Sequence, residues 1–175
     1  MALAERVRHA DFLSRSMTAE QAAQHVAHGA TVGLSGFTGA GYPKALPQAI
    51  AAHAQSEHKA GRPYRINVWT GASTAPEVDG LLAAADAMAQ RLPFNSDAMA
   101  RKKINAGEID YIDMHLSHVA QHAWFGFLGR LDVAIIEIVG VTADGLLIPS
   151  TAVGNNKTWL EIADKVILEV NTKLP

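Results

Sequence analysis

Residues 131–141 read LDVAIIEIVGV. Beyond Asp132 only Glu137 breaks an otherwise apolar run. Strands that are apolar at nearly every position are covered on both faces. This stretch is therefore expected inside a sheet that carries helices on either side. Further strands are expected at 30–35 (ATVGLS), 64–70 (YRINVWT), 109–116 (IDYIDMHL) and 165–170 (KVILEV). Val68 and Trp69 favour the extended state.

Helical signals fall between these runs. Thr18-Ala-Glu-Gln21 has the pattern of a capping box, opening a helix over 19–28 that Gly29 closes. Pro47 suits the first turn of a second helix, which ends at Gly61. The segment GLLAAADAMAQRL (80–92) is helical in composition, with Pro93 as its stop. Ser96 is the expected cap of a helix running to Ala106, and 119–129 is expected to be another helix. Asn155-Asn156-Lys157-Thr158 leads into a short helix. Strand and helix thus alternate, which implies an α/β fold: an open, mostly parallel sheet with right-handed crossovers and helices on both faces.

The totals narrow the function classes. A chain of 175 residues suits one domain, 1–175, burying roughly 70% of its unfolded surface. The absence of cysteine excludes disulfide and thiolate chemistry and agrees with a cytoplasmic setting. No apolar run approaches the roughly 18 residues of a membrane span, and the N-terminus lacks the apolar core of a secretory signal. No membrane partner is expected. Net charge is −2, and the densest basic cluster, Arg101-Lys102-Lys103, reads as a solvated helix face, so no nucleic-acid partner is expected either.

In sheets of this type the ligand site lies beyond the carboxyl ends of the strands. Four loops should meet there: 36–44, GAST (71–74), HLSH (115–118) and the loop after 141. The first contains Gly36, Gly39 and Gly41. Glycines let backbone approach a ligand, and amides near a helix start favour anions. The spacing G-x-x-G-x-G matches neither the dinucleotide fingerprint nor the P-loop, and a tight glycine-rich connection gives the same pattern. GAST exposes amides that suit an oxyanion hole, or forms a plain turn. His115, His118 and His122 have helical spacing, but with no carboxylate nearby to support a metal, and with His115 expected at a strand end, no metal is expected. Glu137 in an apolar strand needs a partner. It is either a reactive carboxylate with a shifted pKa or a structural acceptor for loop amides.

Four segments, in order, then carry a likeness. GLSGFTGAGYPKALP, NVWTGAST, IIEIVGVTADGLLIPSTAVGNN and ADKVILEVN resemble the acetyl-CoA hydrolase and acetate CoA-transferase family, over roughly 17–173. The G-F-x-G-A-G-Y-P-K-A block is far more specific than its glycines alone. The resemblance implies a CoA-transferase-type, Rossmann-like three-layer domain. It implies acetate metabolism in which CoA passes from acetyl-CoA or succinyl-CoA to a small carboxylic acid through a glutamyl-CoA thioester. Coenzyme A is then a co-substrate, and no tightly bound cofactor is expected.

By the same likeness, Gly36, Phe37, Thr38, Gly39, Ala40, Gly41, Tyr42, Pro43, Lys44, Gly71, Ala72, Ser73, Asn155 and Asn156 line the CoA and substrate site. Amides of Gly71 or Ala72 would stabilise the oxyanion. The family's nucleophilic glutamate lies in a second domain and maps onto none of the eight here, leaving Glu137 as the one candidate carboxylate. The chain is expected to be the N-terminal half of the site, inactive alone, joined by a second domain or subunit and dimeric. Acetyl-CoA hydrolysis, with water as the acceptor, is the alternative within the family. A non-catalytic CoA-binding or subunit-interaction module is the alternative outside it. Trp124, Phe125 and Phe127 are candidates for an apolar interface.

Overall fold

A computed structural model describes residues 2–174. Two short helices, α1 (Leu3–Arg6) and α2 (Ala10–Ser14), precede α3 (Ala19–Ala23). Thr18 caps α3 through its side chain, and Gln21 returns the bond to the Thr18 amide. The helix is shorter than the expected 19–28. There follow β1 (Thr31–Leu34), α4 (Ala45–Lys59) and β2 (Ile66–Trp69). A π-helical turn (Pro76–Gly80) runs into α5 (Leu81–Ala84), then β3 (Met88–Leu92), α6 (Ala98–Asn105) and β4 (Asp110–Tyr111). The chain finishes with α7 (Leu116–Trp124), β5 (Val133–Val141), β6 (Leu147–Pro149), α8 (Asn156–Ile162) and β7 (Lys165–Val170).

The sheet order is β4-β3-β2-β1-β5, with β7 also alongside β5. All of these pairs are parallel, and β6 alone folds back antiparallel onto the outer half of β5. Alternation along β5 divides the core in two. Val133 and Ile135 join Val32, Leu34, Ile66, Val68 and the inner sides of α3 to α6. Ala134, Ile136 and Ile138 face the opposite layer, with Trp69, Leu92, Val119 and Trp159. This is the three-layer arrangement that the apolar 131–141 run required.

Three expectations need correction. Residues 80–92 are not one helix: α5 stops at Ala84, Asp86 turns the chain at φ 55°, and Met88–Leu92 form β3 beside β2. Alanine favours helix, but the open edge of β2 and the buried Met88 and Leu92 side chains outweigh that weak preference. The strand at 109–116 shrinks to two residues, because His115 caps α7 by accepting from the Ser117 amide. The cap of α6 is Asp97, which accepts from the amides of Met99 and Ala100, where Ser96 was expected.

Candidate acyl-CoA site

The loop after β1 is a tight reversal. Phe37 and Ala40 exchange both backbone hydrogen bonds, at 2.9 and 3.1 Å. Thr38 sits at φ 48°, a strained conformation for a β-branched residue. Two bonds to the GAST loop hold it there: its amide donates to Ala72 O (3.0 Å), and Thr74 N donates to its carbonyl (3.4 Å). The two loops expected to meet thus hydrogen-bond each other directly.

The third member of the junction is the segment before α8. A Cβ on Gly154 would lie 2.4 Å from Gly36 O, and one on Gly41 would lie 2.8 Å from Ala152 N and O. Backbone packs against backbone here, which only glycine permits. Gly39 has open space around its α-carbon and is not needed for packing. Asn155 closes the junction against Gly71. The loop after 141 does not join: it hairpins into β6, and Gly145 packs on His9. HLSH is absorbed into the start of α7.

Charged side chains brace the junction from behind. Lys44 Nζ donates to Glu137 Oε2 (2.6 Å) and to Tyr42 O (2.7 Å), and Asn171 Nδ2 donates to the same Glu137 oxygen. Glu137 is 1% exposed, and Ser35 Oγ links its amide to Gly41 O. One oxygen of Glu137, Oε2, thus has the cationic and amide partners that a buried carboxylate requires. The Tyr42 hydroxyl donates to Glu77 (3.0 Å); burial first, and then that bond, raise its pKa. At the start of α4, the amides of Lys44, Ala45 and Leu46 all donate to the Glu169 carboxylate. The anion-favouring helix start is occupied by the chain's own acid.

Several buried polar atoms at the junction have no hydrogen-bond partner among the described residues: Ser73 Oγ, Asn155 Nδ2, Asn156 Oδ1 and Glu137 Oε1. No hydrogen bond from the Gly71, Ala72 or Ser73 amides is found among those residues either. Such groups are costly unless something meets them. Of the site residues read from the sequence, Phe37 stands out from the loop, 55% exposed, while Gly71, Ala72 and Ser73 are buried beneath it.

Sequence reasoning missed the braces. Glu169 interrupts KVILEV much as Glu137 interrupts AIIEIVG, so the signal was present twice and followed once. Arg91 lay hidden in a segment read as helix. The three histidines do share an element: their rings stack along α7 at 5.3 and 6.0 Å between centroids. Among the described residues no group of three or more His, Cys, Asp or Glu is arranged to hold a metal. A groove of about 740 Å³ lies elsewhere, between α1–α3 and β7. Its walls are mainly apolar, and its one carboxylate, Glu169, is already engaged with α4.

Comparison with known proteins gives the family. Residues 1–175 match the family model described as the acetyl-CoA hydrolase/transferase N-terminal domain. A protein named propanoyl-CoA:succinate CoA transferase, from Escherichia coli, is 46% identical over 89% of this chain and 32% of its own length. One named succinyl-CoA:acetate CoA-transferase, from Clostridium kluyveri, is 40% identical over 98% and 31%. An acetyl-CoA hydrolase from Candida glabrata is 37% identical over 99% and 34%. The solved glutaconate coenzyme A-transferase of Acidaminococcus fermentans shares the fold with TM-score 0.66 at 15% identity, covering 87% of this chain and 68% of that one. The chain spans about a third of the length of the curated relatives it matches. It belongs to the acetyl-CoA hydrolase/transferase family, whose N-terminal domain it represents.

Proposed function

We propose that this chain is the N-terminal wall of an acyl-CoA site in a CoA-transferase. The observation that carries this reading is the three-loop junction, where glycines let backbone pack against backbone and the 71–73 amides stay unengaged. In this reading a glutamate from outside the 175 residues attacks the acyl-CoA carbonyl and expels CoA thiolate, giving an acyl-glutamyl anhydride. The thiolate then attacks the glutamyl carbonyl, releasing the first carboxylate and leaving glutamyl-CoA. A second carboxylate reverses both steps and leaves as the new acyl-CoA. Covalent catalysis of this kind divides one hard transfer into easier ones. Donors from Gly71 or Ala72 stabilise the oxyanions, while Glu137 holds Lys44 and shapes the loop.

Acetyl-CoA and succinyl-CoA are the donors, small carboxylic acids the acceptors, and CoA the co-substrate. The reading further includes a second domain or subunit, a homodimer and a cytoplasmic setting. Hydrolysis is the second reading, favoured by the relatives of that name; there water resolves the thioester.

The test incubates this chain with acetyl-CoA and succinate, following succinyl-CoA by chromatography and thiol by a thiol reagent. With no cysteine in the protein, any thiol is released CoA. The expected result is saturable binding of acetyl-CoA, weakened by Gly41→Val, without either product. Product formation would show that the chain carries its own nucleophile and overturn the half-site. No binding at all would remove the wall.

A further inference from the structure

We propose that Arg91 is a positioning residue: from the neighbouring strand β3 it fixes the 70–74 loop so that the Ala72 amide faces the acyl oxygen. This rests on the reading of that loop as the donor wall.

Arg91 lies on β3, far in sequence from the glycine loop, and is fully buried. Its guanidinium pairs with Asp79, also fully buried, through Nε to Oδ1 at 2.6 Å. Asp79 Oδ2 in turn accepts from the Ala75 amide (3.0 Å). The remaining donors of Arg91 go largely to the loop: one terminal nitrogen to Thr70 Oγ1 (2.9 Å), the other to Ser73 O (2.8 Å). Because Thr70 accepts from Arg91, its single hydroxyl proton is directed to the loop carbonyls, Gly71 O (2.9 Å) and Ser73 O (3.1 Å).

The consequence follows from peptide geometry. In a planar trans peptide, C=O and the next N–H point in opposite directions. Holding Gly71 O on the Thr70 side turns the Ala72 N–H away from it. Holding Ser73 O turns the Thr74 N–H outward, and that amide indeed meets Thr38 O. Ala72 O is taken by Thr38, so both flanks of the loop are fixed while the Ala72 amide itself is left unengaged. A buried ion pair adds little stability over an apolar pair of similar volume. Directional control of this loop is what the pair supplies here.

The test titrates the isotopically labelled chain with acetyl-CoA and, separately, with free CoA, reading amide resonances. Wild type should show a shift at Ala72 with acetyl-CoA that free CoA does not produce. Three variants are compared: Arg91→Lys, the volume-matched Arg91→Met/Asp79→Leu pair, and Thr70→Val, which removes the relay without touching the charges. Each folded variant should lose the Ala72 response and bind acetyl-CoA about tenfold more weakly, the worth of one hydrogen bond, with free CoA affinity unchanged. A merely structural role would lower both affinities together. Folded variants with an intact Ala72 response overturn the proposal for Arg91 alone. Absence of the response in wild type overturns the donor-wall reading itself. If both Arg91 variants fail to fold, Thr70→Val decides.

Discussion

At the scale of single residues, the glycines of the first loop are not equivalent. Gly41 is needed because backbone from 152 lies where its side chain would be, and Gly154 because the Gly36 carbonyl lies where its own would be. Gly39 meets nothing. Thr38, which looked like an ordinary spacer, carries the strained φ between Gly36 and Gly41. A Cβ at Gly154 must displace either its own segment or Gly36, since neither is the end of a flexible side chain. Gly154→Ala should therefore cost about 1–3 kcal/mol, as overpacking does, and weaken acetyl-CoA binding. Gly39→Ala should stay within about 0.5 kcal/mol of wild type, as surface changes do. Urea unfolding of the two variants side by side checks the contrast.

At the scale of elements, α4 is governed by a residue 123 positions further along the chain. Glu169 on β7 accepts the amides of Lys44, Ala45 and Leu46, matching both the unsatisfied donors and the positive end of the helix. Removing it by Glu169→Ala should cost about 1–2 kcal/mol, the range of a lost cap, and slow no other element. Amide hydrogen exchange should show the first turn of α4 losing protection while β2 and β3 keep theirs; unchanged exchange in that turn would refute the capping role. Why this was not legible is a matter of range. Capping boxes such as Thr18–Gln21 lie within four residues and can be read from a line of sequence. Glu169 and Lys44 are brought together only by β5, which pairs with β1 on one side and β7 on the other. The apolar run at 131–141 was readable because burial writes itself at nearly every position of β5. β3 was not, since only two of its apolar side chains are fully buried and its Arg91 finds its partner across the sheet edge, in Asp79. For the candidate site, the meeting of the glycine loop and GAST was readable from their composition and place after strands, whereas Ala152, Gly154 and the charged braces join them only through the folded topology.

At the scale of the whole molecule, all three tyrosines are shifted in one direction. Burial is the leading cause in each: it pushes Tyr64 up to about 12 and raises Tyr42 and Tyr111. Tyr64 also donates to Val26 O at 2.8 Å and is 3% exposed. Between about pH 10, where an unfolded tyrosine ionises, and about 12, the unfolded chain binds fewer protons than the native one, so stability falls as pH rises. The contribution is complete below pH 10 and lost through that window. The urea midpoint should therefore decline steeply above about pH 10, and Tyr64→Phe should flatten the decline while lowering the midpoint at neutral pH through the lost hydrogen bond. Unchanged slopes in the two proteins would contradict the burial of this hydroxyl. Trp124, Phe125 and Phe127 are 50%, 63% and 74% exposed, so these three side chains lie outside both apolar clusters, although Ala123 beside them belongs to one.

The bond between Glu169 and the start of α4 also sets an order of events during synthesis. A ribosome that has made the glycine loop and α4 must add more than a hundred residues before the carboxylate that caps them emerges. Glu137, the partner of Lys44, emerges earlier than Glu169, so the loop gains its two anchors one after the other. The early-made glycine loop and the start of α4 are thus fully anchored only once β7 has cleared the exit tunnel.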